Sequence, residues 1–203
     1  MLQYSIYRIM KQKIAHLISN ILNPCLVSFI CIIALVWQAA GSTSNALKWA
    51  AVALLLSVVP IFSFILVQVR RKKLDGIFPE NQGQRKIVYI VASVLAAVGC
   101  AVMWFFDAPH LLTVCFIAGL AAVVVFMGIN YYWKISLHTA FVSSAATVMT
   151  LVFGGIAAWL FILLPLVAWS RLELKMHTPA QVVAGALLAA AIVTGVFLGF
   201  GVV

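Results

Sequence analysis

Long apolar runs that are almost free of charge set the fold that this chain can adopt. Only 8% of its residues are charged, whereas soluble domains average about 25%. Several of the runs approach the ~20 residues that an α-helix needs to cross the hydrocarbon of a bilayer. We therefore predict an all-α fold, a polytopic transmembrane helical bundle. A chain of 203 residues leaves no room beside that bundle for a separate soluble domain.

Seven apolar segments are the predicted spans, although six or seven crossings both fit the pattern. The segments are residues 25–40, 46–69, 87–106, 111–131, 139–153, 156–169 and 180–203. The fifth and sixth are short and meet at Gly154-Gly155, which predicts a tight helical hairpin. Pro60 and Pro165 fall inside spans and predict kinks. Four glycines in the last span predict close helix packing: Gly185, Gly195, Gly199 and Gly201.

Residues 2–21 show an amphipathic pattern instead. Apolar side chains recur there at helical spacing, with basic side chains between them. Such a helix is expected to lie in the membrane interface and to end at the Asn23-Pro24 turn. A cleaved signal peptide is the alternative, but no small-residue cleavage site follows a short apolar core. We therefore divide the chain into an interfacial amphipathic helix, 1–23, and a single transmembrane domain, 24–203.

Lysine and arginine are distributed unevenly between the two sides of the predicted bundle. Of the thirteen in the chain, only Lys48 lies on the far side, and the tyrosines lie near the basic side. The positive-inside rule makes the basic face cytoplasmic. A phosphate-binding site would also gather cations on its own face, but Arg8, Lys11 and Lys13 belong to no evident site. We expect an inner or plasma membrane of bacterial type, with a cytoplasmic active face.

The net charge of +9 indicates attraction to anionic lipid headgroups. It does not indicate nucleic-acid binding, because nothing in the chain resembles a nucleic-acid-binding module. The four cysteines lie in apolar spans without metal-ligand spacing, so we predict no metal site and interpret them as small buried hydrophobes.

The first group of residues with chemical potential is Ser170-Arg171 with His177. It follows the sixth predicted span and precedes the seventh, so we expect a short loop at the membrane edge. Arginine offers a planar fork of donors that suits phosphate oxygens. The alternative is that Arg171 and His177 only contact lipid headgroups.

A helix start follows His177 directly. Thr178 is the expected N-cap, Pro179 the first helical residue, and Gln181 the capping-box partner of Thr178. This arrangement holds His177 beside a helix N-terminus, where backbone N–H groups favour an anion.

A second histidine, His138, also lies next to a predicted helix start. Ser136 can donate a hydrogen bond to a phosphoryl oxygen, and Lys134 can add positive charge. A protonated His138 can give a proton to a leaving oxygen. An interfacial aromatic belt with an incidental histidine is the alternative, but two such loops on one face favour a shared site.

Residues 70–86 form a basic loop between the second and third predicted spans. Glycine, proline, asparagine and glutamine are frequent in it, and most of its cations are best interpreted as a polybasic anchor. Lys73 and Arg85 are the two that we expect to reach the histidine-bearing face.

With these residues in view, the chain resembles the type 2 phosphatidic acid phosphatase superfamily of membrane lipid phosphatases, which shares a helical core with vanadium haloperoxidases. The family motifs are Lys-x6-Arg-Pro, Pro-Ser-Gly-His and Ser-Arg-x5-His-x3-Asp. Ser170-Arg171-x5-His177 matches the third motif, and Ser136-Leu137-His138 matches the core of the second. The resemblance covers roughly residues 70 to 190.

The resemblance implies a lipid phosphatase that needs no metal and no other cofactor, with a lipid phosphate as substrate. His177 would be the nucleophile that forms a phosphohistidine, and His138 would protonate the leaving lipid oxygen. By the resemblance, Arg171, Ser136 and a first-motif cation would bind the phosphoryl group. From their location alone, we also assign phosphate binding to Arg85 and Lys73 as the first-motif cations, and to Ser170 and Lys134 beside the two matched motifs.

Three departures from the motifs keep other functions open. The first motif is not present at its spacing, Ile135 and Leu137 replace Pro and Gly in the second, and Gln181 stands where the third has Asp. A Gln oxygen can still accept the imidazole N–H and fix its tautomer, but it supplies no negative charge. The alternatives are a homologue that binds lipid phosphates without turnover, and an enzyme of phosphoryl transfer or of terpenoid diphosphate chemistry.

Overall fold

The computed structural model describes residues 2–79 and 81–202, with side chains described from Tyr7 onward. Its regular structure is helical, and no strand occurs in the described residues, which confirms the predicted all-α fold. The helices are α1 (Leu2–Ile21), α2 (Pro24–Ala39), α3 (Thr43–Leu56), α4 (Val58–Arg70), α5 (Gln82–Phe105), α6 (His110–Asn130), α7 (Leu137–Phe153), the 3-10 helix Gly155–Ile162, α8 (Leu163–Glu173) and α9 (Pro179–Gly199).

The helix lengths support five membrane spans, or six, in the described part of the chain. Five segments are long and apolar enough to cross: Thr43–Arg70, Gln82–Phe105, His110–Asn130, Gly155–Glu173 and Pro179–Gly199. α2 qualifies only together with α1, across a bend of 40°. The 17 residues of α7 extend about 25 Å at 1.5 Å per residue, which is less than the ~30 Å of hydrocarbon. The structure therefore supports at most six crossings in the described residues, the lower of the two numbers predicted from the sequence.

In place of the kink expected at Pro60, the helix is interrupted three residues before this proline. α3 and α4 are separated at Ser57, whose backbone has φ −122° and ψ −82°. Proline lacks an N–H, and its ring clashes with the carbonyl four residues before it. At the break, the Ser57 hydroxyl donates to the carbonyl of Ala53 at 2.6 Å, so a side-chain hydrogen bond satisfies a carbonyl in the last turn of α3.

The hairpin expected at Gly154-Gly155 is present. α7 ends at Phe153, and Gly154 adopts φ +79°, a backbone conformation that favours glycine. The chain then returns along α7 as the 3-10 helix and α8. α8 continues to Glu173, four residues beyond the predicted end of the sixth span at residue 169. Ser170 and Arg171 therefore lie in the last turn of a helix, and the expectation that they lie in a loop is wrong.

The chain forms two compact units. The histidine unit contains the residues up to Val27 and Ile135–Ala191, and the second unit contains Ser28–Lys134 and the residues from Ile192 onward. Helix α1 therefore belongs to the same unit as both candidate histidines, and it packs against α8.

Helix α1 presents three different faces. One face is covered by the unit itself and includes Ala15 and Ser19. A second face carries exposed apolar side chains at helical spacing: Met10, Ile14, Leu17 and Ile21. The third is exposed and polar: Arg8, Gln12, Lys13, His16 and Asn20. An apolar stripe beside a basic polar face is typical of a helix at a lipid interface, and the covered face shows that the helix is also part of the protein core.

The start of α5 is fixed by side-chain caps in the second unit. Asn81 is the N-cap, and its side chain accepts from the N–H groups of Gly83 and Gln84. Gln82 Nε2 donates to the carbonyl of Asn130 at 2.8 Å, and so connects the start of α5 with the end of α6. α5 therefore begins five residues before the predicted span at residue 87, and Arg85 lies in its first turn.

Candidate functional site

The last turn of α8 directs two predicted phosphate-binding residues into the histidine unit. Ser170 is fully buried, and its hydroxyl donates to the carbonyl of Val167 at 2.8 Å. Because a hydroxyl has one hydrogen, this contact uses the only proton that Ser170 has to donate. Arg171 is 7% exposed, and its Nη1 donates to the Ser19 hydroxyl at 2.7 Å. Of the two side chains, Arg171 brings a buried positive charge into the histidine unit.

The start of α9 is the capping box that the sequence predicts. The N–H of Thr178 donates to Gln181 Oε1 at 3.1 Å, and the N–H of Gln181 donates to Thr178 Oγ1 at 3.4 Å. Pro179 is the first helical residue. The reciprocal pair satisfies two backbone donors at the helix start, so this turn is defined by local sequence.

The same Gln181 oxygen contacts the candidate nucleophile. His177 Nδ1 lies 3.2 Å from Gln181 Oε1. A backbone N–H can only donate, so the bond from Thr178 identifies the contacting Gln181 atom as the oxygen and not the amide nitrogen. An oxygen without hydrogen can only accept, and His177 Nδ1 must therefore carry the proton. In a neutral imidazole the other nitrogen, Nε2, then holds the lone pair.

Hydrogen bonds join the start of α7 to the start of α9. The N–H of Ser136 donates to the carbonyl of Gln181 at 3.3 Å. The Thr139 hydroxyl lies 3.1 Å from the carbonyls of both Ser136 and Val182, and Ser143 Oγ donates to the carbonyl of Ala186 at 2.7 Å. Three successive contacts along the two helices fix their register, and with it the position of the second histidine relative to the first.

The close approach of α7 and α9 requires glycine at position 185. A Cβ atom there would lie 2.6 Å from the carbonyl oxygen of Ser136 and 2.9 Å from Thr139 Oγ1. The first of these is a backbone atom that cannot move without shifting the Ser136 turn. The close packing predicted for the glycines of the last span is confirmed at Gly185, at the turn that carries the candidate site. It is wrong for Gly195, Gly199 and Gly201, where a Cβ atom would have no neighbour within 4 Å among the described residues.

His138 lies inside the histidine unit, next to the other site residues. Its side chain is 2% exposed, and its ring hydrogen-bonds to the backbone of Ser19. His138 is at the N-terminal edge of α7, outside the five candidate spans. Burial is the main cause that lowers the pKa of His138 to about 3, followed by the electrostatic effects of Arg171 and then of His177. The ring is therefore neutral at neutral pH without a ligand, in contrast to the protonated His138 that the sequence suggested.

Ser136 carries the buried polar atom that bears most directly on a ligand. Its side chain has no exposed surface, and Oγ has no hydrogen-bond partner among the described residues. Leaving a buried hydroxyl without a partner costs about 1–3 kcal/mol. A group that accepts a hydrogen bond from Ser136 would recover that cost, which is the role expected of this residue toward a phosphoryl oxygen.

The remaining three predicted cations belong to the second unit. Arg85 is 6% exposed, and its Nη2 donates to the Tyr89 hydroxyl at 3.4 Å. Lys73 is exposed in the loop after α4, and Lys134 is half-buried just before the histidine unit begins. The histidine unit itself brings together the other six predicted residues: His138, His177, Gln181, Arg171, Ser136 and Ser170.

The sequence interpretation missed the contribution of α1. Ser19 contacts both Arg171 and His138, and Lys11 Nζ forms an ion pair of 2.6 Å with Glu173. Lys11, Ala15 and Ser19 are spaced four residues apart, so they lie on one helix face. That face interrupts the apolar pattern with small and polar side chains, which is the signal that could have revealed a protein contact.

No set of three His, Cys, Asp or Glu side chains among the described residues is placed to hold a metal ion. Comparison of the chain with protein-family models, with curated proteins and with solved structures found no match.

Proposed function

We propose that this protein is a membrane-embedded lipid phosphatase. It would hydrolyse a phosphate or diphosphate monoester of a lipid through a phosphohistidine on His177, without a metal ion. The observation that carries the proposal is the contact of His177 Nδ1 with Gln181 Oε1 at 3.2 Å, because it leaves the lone pair on Nε2. A histidine whose tautomer is fixed by a second residue is the arrangement that nucleophilic catalysis requires.

The phosphoryl group would be held by Arg171 and Ser136. Arg171 is buried, so its charge acts in a medium of low dielectric constant, where attraction to an anion is stronger than in water. Ser136 supplies a buried hydroxyl, and the start of α9 adds the partial positive charge of a helix N-terminus.

The reaction would proceed by two displacements. The lone pair on His177 Nε2 attacks phosphorus, an N–P bond forms, and the P–O bond to the lipid breaks. His138 gives a proton to the leaving lipid oxygen. Water, giving a proton back to His138, then attacks phosphorus and breaks the N–P bond. The products are the lipid alcohol and free phosphate, and both histidines return to their starting states.

The protonation of His138 would depend on the ligand. Burial and the nearby positive charge of Arg171 help to keep its pKa low in the structure, and a bound phosphate introduces negative charge beside it. An adjacent negative charge favours the protonated form of histidine. Substrate binding would therefore convert His138 into the general acid that the first step needs.

The lipid tail would lie between helices in the bilayer, with the headgroup at the basic face. A cytoplasmic active face in an inner or plasma membrane of bacterial type makes isoprenyl diphosphates and phosphatidate the natural substrates. With the opposite orientation, a carrier-lipid diphosphate or phosphatidylglycerophosphate would be equally suitable.

Phosphate release from purified, detergent-solubilised protein tests the proposal. The substrates are phosphatidate, phosphatidylglycerophosphate, and short and long isoprenyl mono- and diphosphates, with EDTA present. The expected result is release that survives EDTA, disappears in His177→Ala, and persists in His110→Ala. His110 is an exposed histidine in the second unit, so the control makes the same chemical change away from the site. Absence of release from every lipid by folded wild-type protein would contradict the proposal.

A binding protein without turnover is the second candidate, and one observation favours it. The oxygen of Gln181 contacts His177 and also caps α9, and an amide cannot offset the positive charge that His177 acquires on attack. Such a protein would retain lipid phosphate, seen as co-purifying lipid, and would form no acid-labile phosphohistidine. Gln181→Asp would then increase the yield of phosphohistidine.

A further inference from the structure

We infer that Ser19, in the N-terminal helix α1, is a positioning residue of the phosphate site, which orients both the Arg171 guanidinium and the His138 ring. The inference rests on the proposed function and adds to it a residue outside the three motif regions. The chain segment that supplies Ser19 was expected to serve only as a membrane anchor.

The first contact is with the guanidinium. Ser19 is 4% exposed, and its Oγ accepts from Arg171 Nη1 at 2.7 Å. Hydrogen bonds with an ionised donor are shorter and stronger than neutral ones. Arginine has five N–H donors in a fixed plane, so fixing Nη1 defines the direction in which the rest of the fork points. Ser19 would thereby set the orientation in which the Arg171 guanidinium meets a phosphoryl group.

The second contact is with the ring of His138. The hydrogen bond between that ring and the backbone of Ser19 favours the protonated imidazole, so the ring N–H donates and the Ser19 carbonyl accepts. A backbone carbonyl on one ring nitrogen fixes the tautomer and the rotation of a histidine. One residue of α1 thus holds the proposed phosphate-binding cation with its side chain and the proposed general acid with its backbone.

Two further contacts keep α1 in the place from which Ser19 can act. Ala15, one turn earlier, is fully buried, and a side chain this small lets the helix backbone approach its neighbour closely. Two turns before Ser19, Lys11 pairs with Glu173 at 2.6 Å. Glu173 and Arg171 both belong to the last turn of α8, so α1 is attached at two points to the turn that carries the proposed phosphate-binding arginine.

The test compares Ser19→Ala, Ser19→Cys and Ser19→Thr with wild type on the best lipid substrate. Alanine removes the hydroxyl, and cysteine keeps the volume but replaces a strong acceptor with a weak one. Both are expected to lower kcat/KM about tenfold or more, the loss for one hydrogen bond to a charged group. Ser19→Thr keeps the oxygen and should recover most of the activity. Ser44→Ala, an exposed serine of α3, is the matched control and should match wild type.

A double-mutant cycle separates positioning from general support of the fold. If Ser19 acts through Arg171, Ser19→Ala should lower kcat/KM strongly in the wild type and by less than twofold in Arg171→Lys, because coupled residues are not additive. Equal losses in both backgrounds, or full activity of Ser19→Ala and Ser19→Cys, would overturn the inference and leave the proposed function intact. A wild-type protein that releases no phosphate would overturn the proposed function, and the inference with it.

Discussion

The two histidines of the candidate site both lie at the start of a helix, yet the structure holds them by different means. His177 is half-buried, and the residue that contacts its ring lies four positions later in the same turn. His138 is buried, and its ring is hydrogen-bonded to Ser19, at the other end of the chain. The first arrangement depends on local sequence and the second on tertiary packing. Different mutations should therefore disrupt the surroundings of His177 and those of His138.

The largest effect is expected from Gly185→Ala, which acts on both histidines. The added Cβ would lie 2.6 Å from the Ser136 carbonyl, so the α7 turn must shift away from α9. We expect loss of activity and an overpacking cost of about 1–3 kcal/mol or more in the free energy of unfolding. Thermal unfolding in detergent and phosphate release measure the two effects.

Gly195→Ala is the matched control for that variant. A Cβ at Gly195 has no neighbour within 4 Å among the described residues, and alanine is about 1 kcal/mol better than glycine in a helix interior. Gly195→Ala should be neutral or slightly stabilising. If both variants behave alike, close packing at Gly185 is not the determinant of the site.

The next largest effect is expected from Gln181→Met, which removes the local contact of His177 and leaves the contact of His138 with Ser19 in place. Methionine has a similar length but no amide oxygen, so the bond from the Thr178 N–H and the His177 contact are both lost, whereas the bond from the N–H of residue 181 to Thr178 Oγ1 remains. We expect about 0.5–1.5 kcal/mol of destabilisation from the lost capping bond and a fall in activity that is larger than this destabilisation explains.

Gln181→Glu distinguishes the two roles of this residue. Its carboxylate can still cap Thr178 and accept from His177, so stability should match the wild type. The added negative charge also favours protonated His177, which should raise the pH at which phosphate release reaches half of its maximum. Unchanged pH dependence in this variant would show that residue 181 does not contact His177 in solution.

The third prediction concerns the pH dependence of stability and tests the burial of His138. The pKa of His138 is about 3 in the folded protein, below its ordinary value of about 6.5, so the unfolded chain binds more protons between these values. The contribution of His138 to the free energy of unfolding is then fully present above about pH 6.5. It is lost progressively toward pH 3, by at most about 1.4 kcal/mol per pH unit. Thermal unfolding between pH 7 and 4 should show this slope in wild type and a smaller slope in His138→Asn. Equal slopes would mean that His138 is not buried as described.

The smallest effect is expected from the ion pair between Lys11 and Glu173. Both side chains are partly exposed, and such pairs contribute about 0.2–1 kcal/mol. Lys11→Met should lower the midpoint of thermal unfolding slightly at low salt, and the difference from wild type should shrink at high salt as the charges are screened. Lys13→Met, on the exposed polar face of the same helix, should show no such salt dependence.

The parts of the fold that were predictable are those that depend on neighbouring residues. The Thr178 cap, the Gly154 turn and the apolar spans follow from short patterns, because caps, positive φ and hydrocarbon length act over a few positions. The extension of α8 to Glu173 was not predictable, since the polar residues of its last turn indicate a loop until their buried partners are known. The contact of Ser19 was hidden for the same reason: its partner Arg171 lies 152 residues away.

That separation has a consequence for biosynthesis. Ser19 leaves the ribosome well before His138 and Arg171, so its contacts with them cannot form until the chain has been made as far as Arg171. During that interval the exposed apolar stripe of α1 would hold the helix at the lipid surface. The helix face that carries Ser19 would not yet contact Arg171 or His138. Disruption of the stripe, for example by Leu17→Lys, should leave finished protein with unaltered contacts at Ser19 but reduce the fraction of newly made chains that reach the native state.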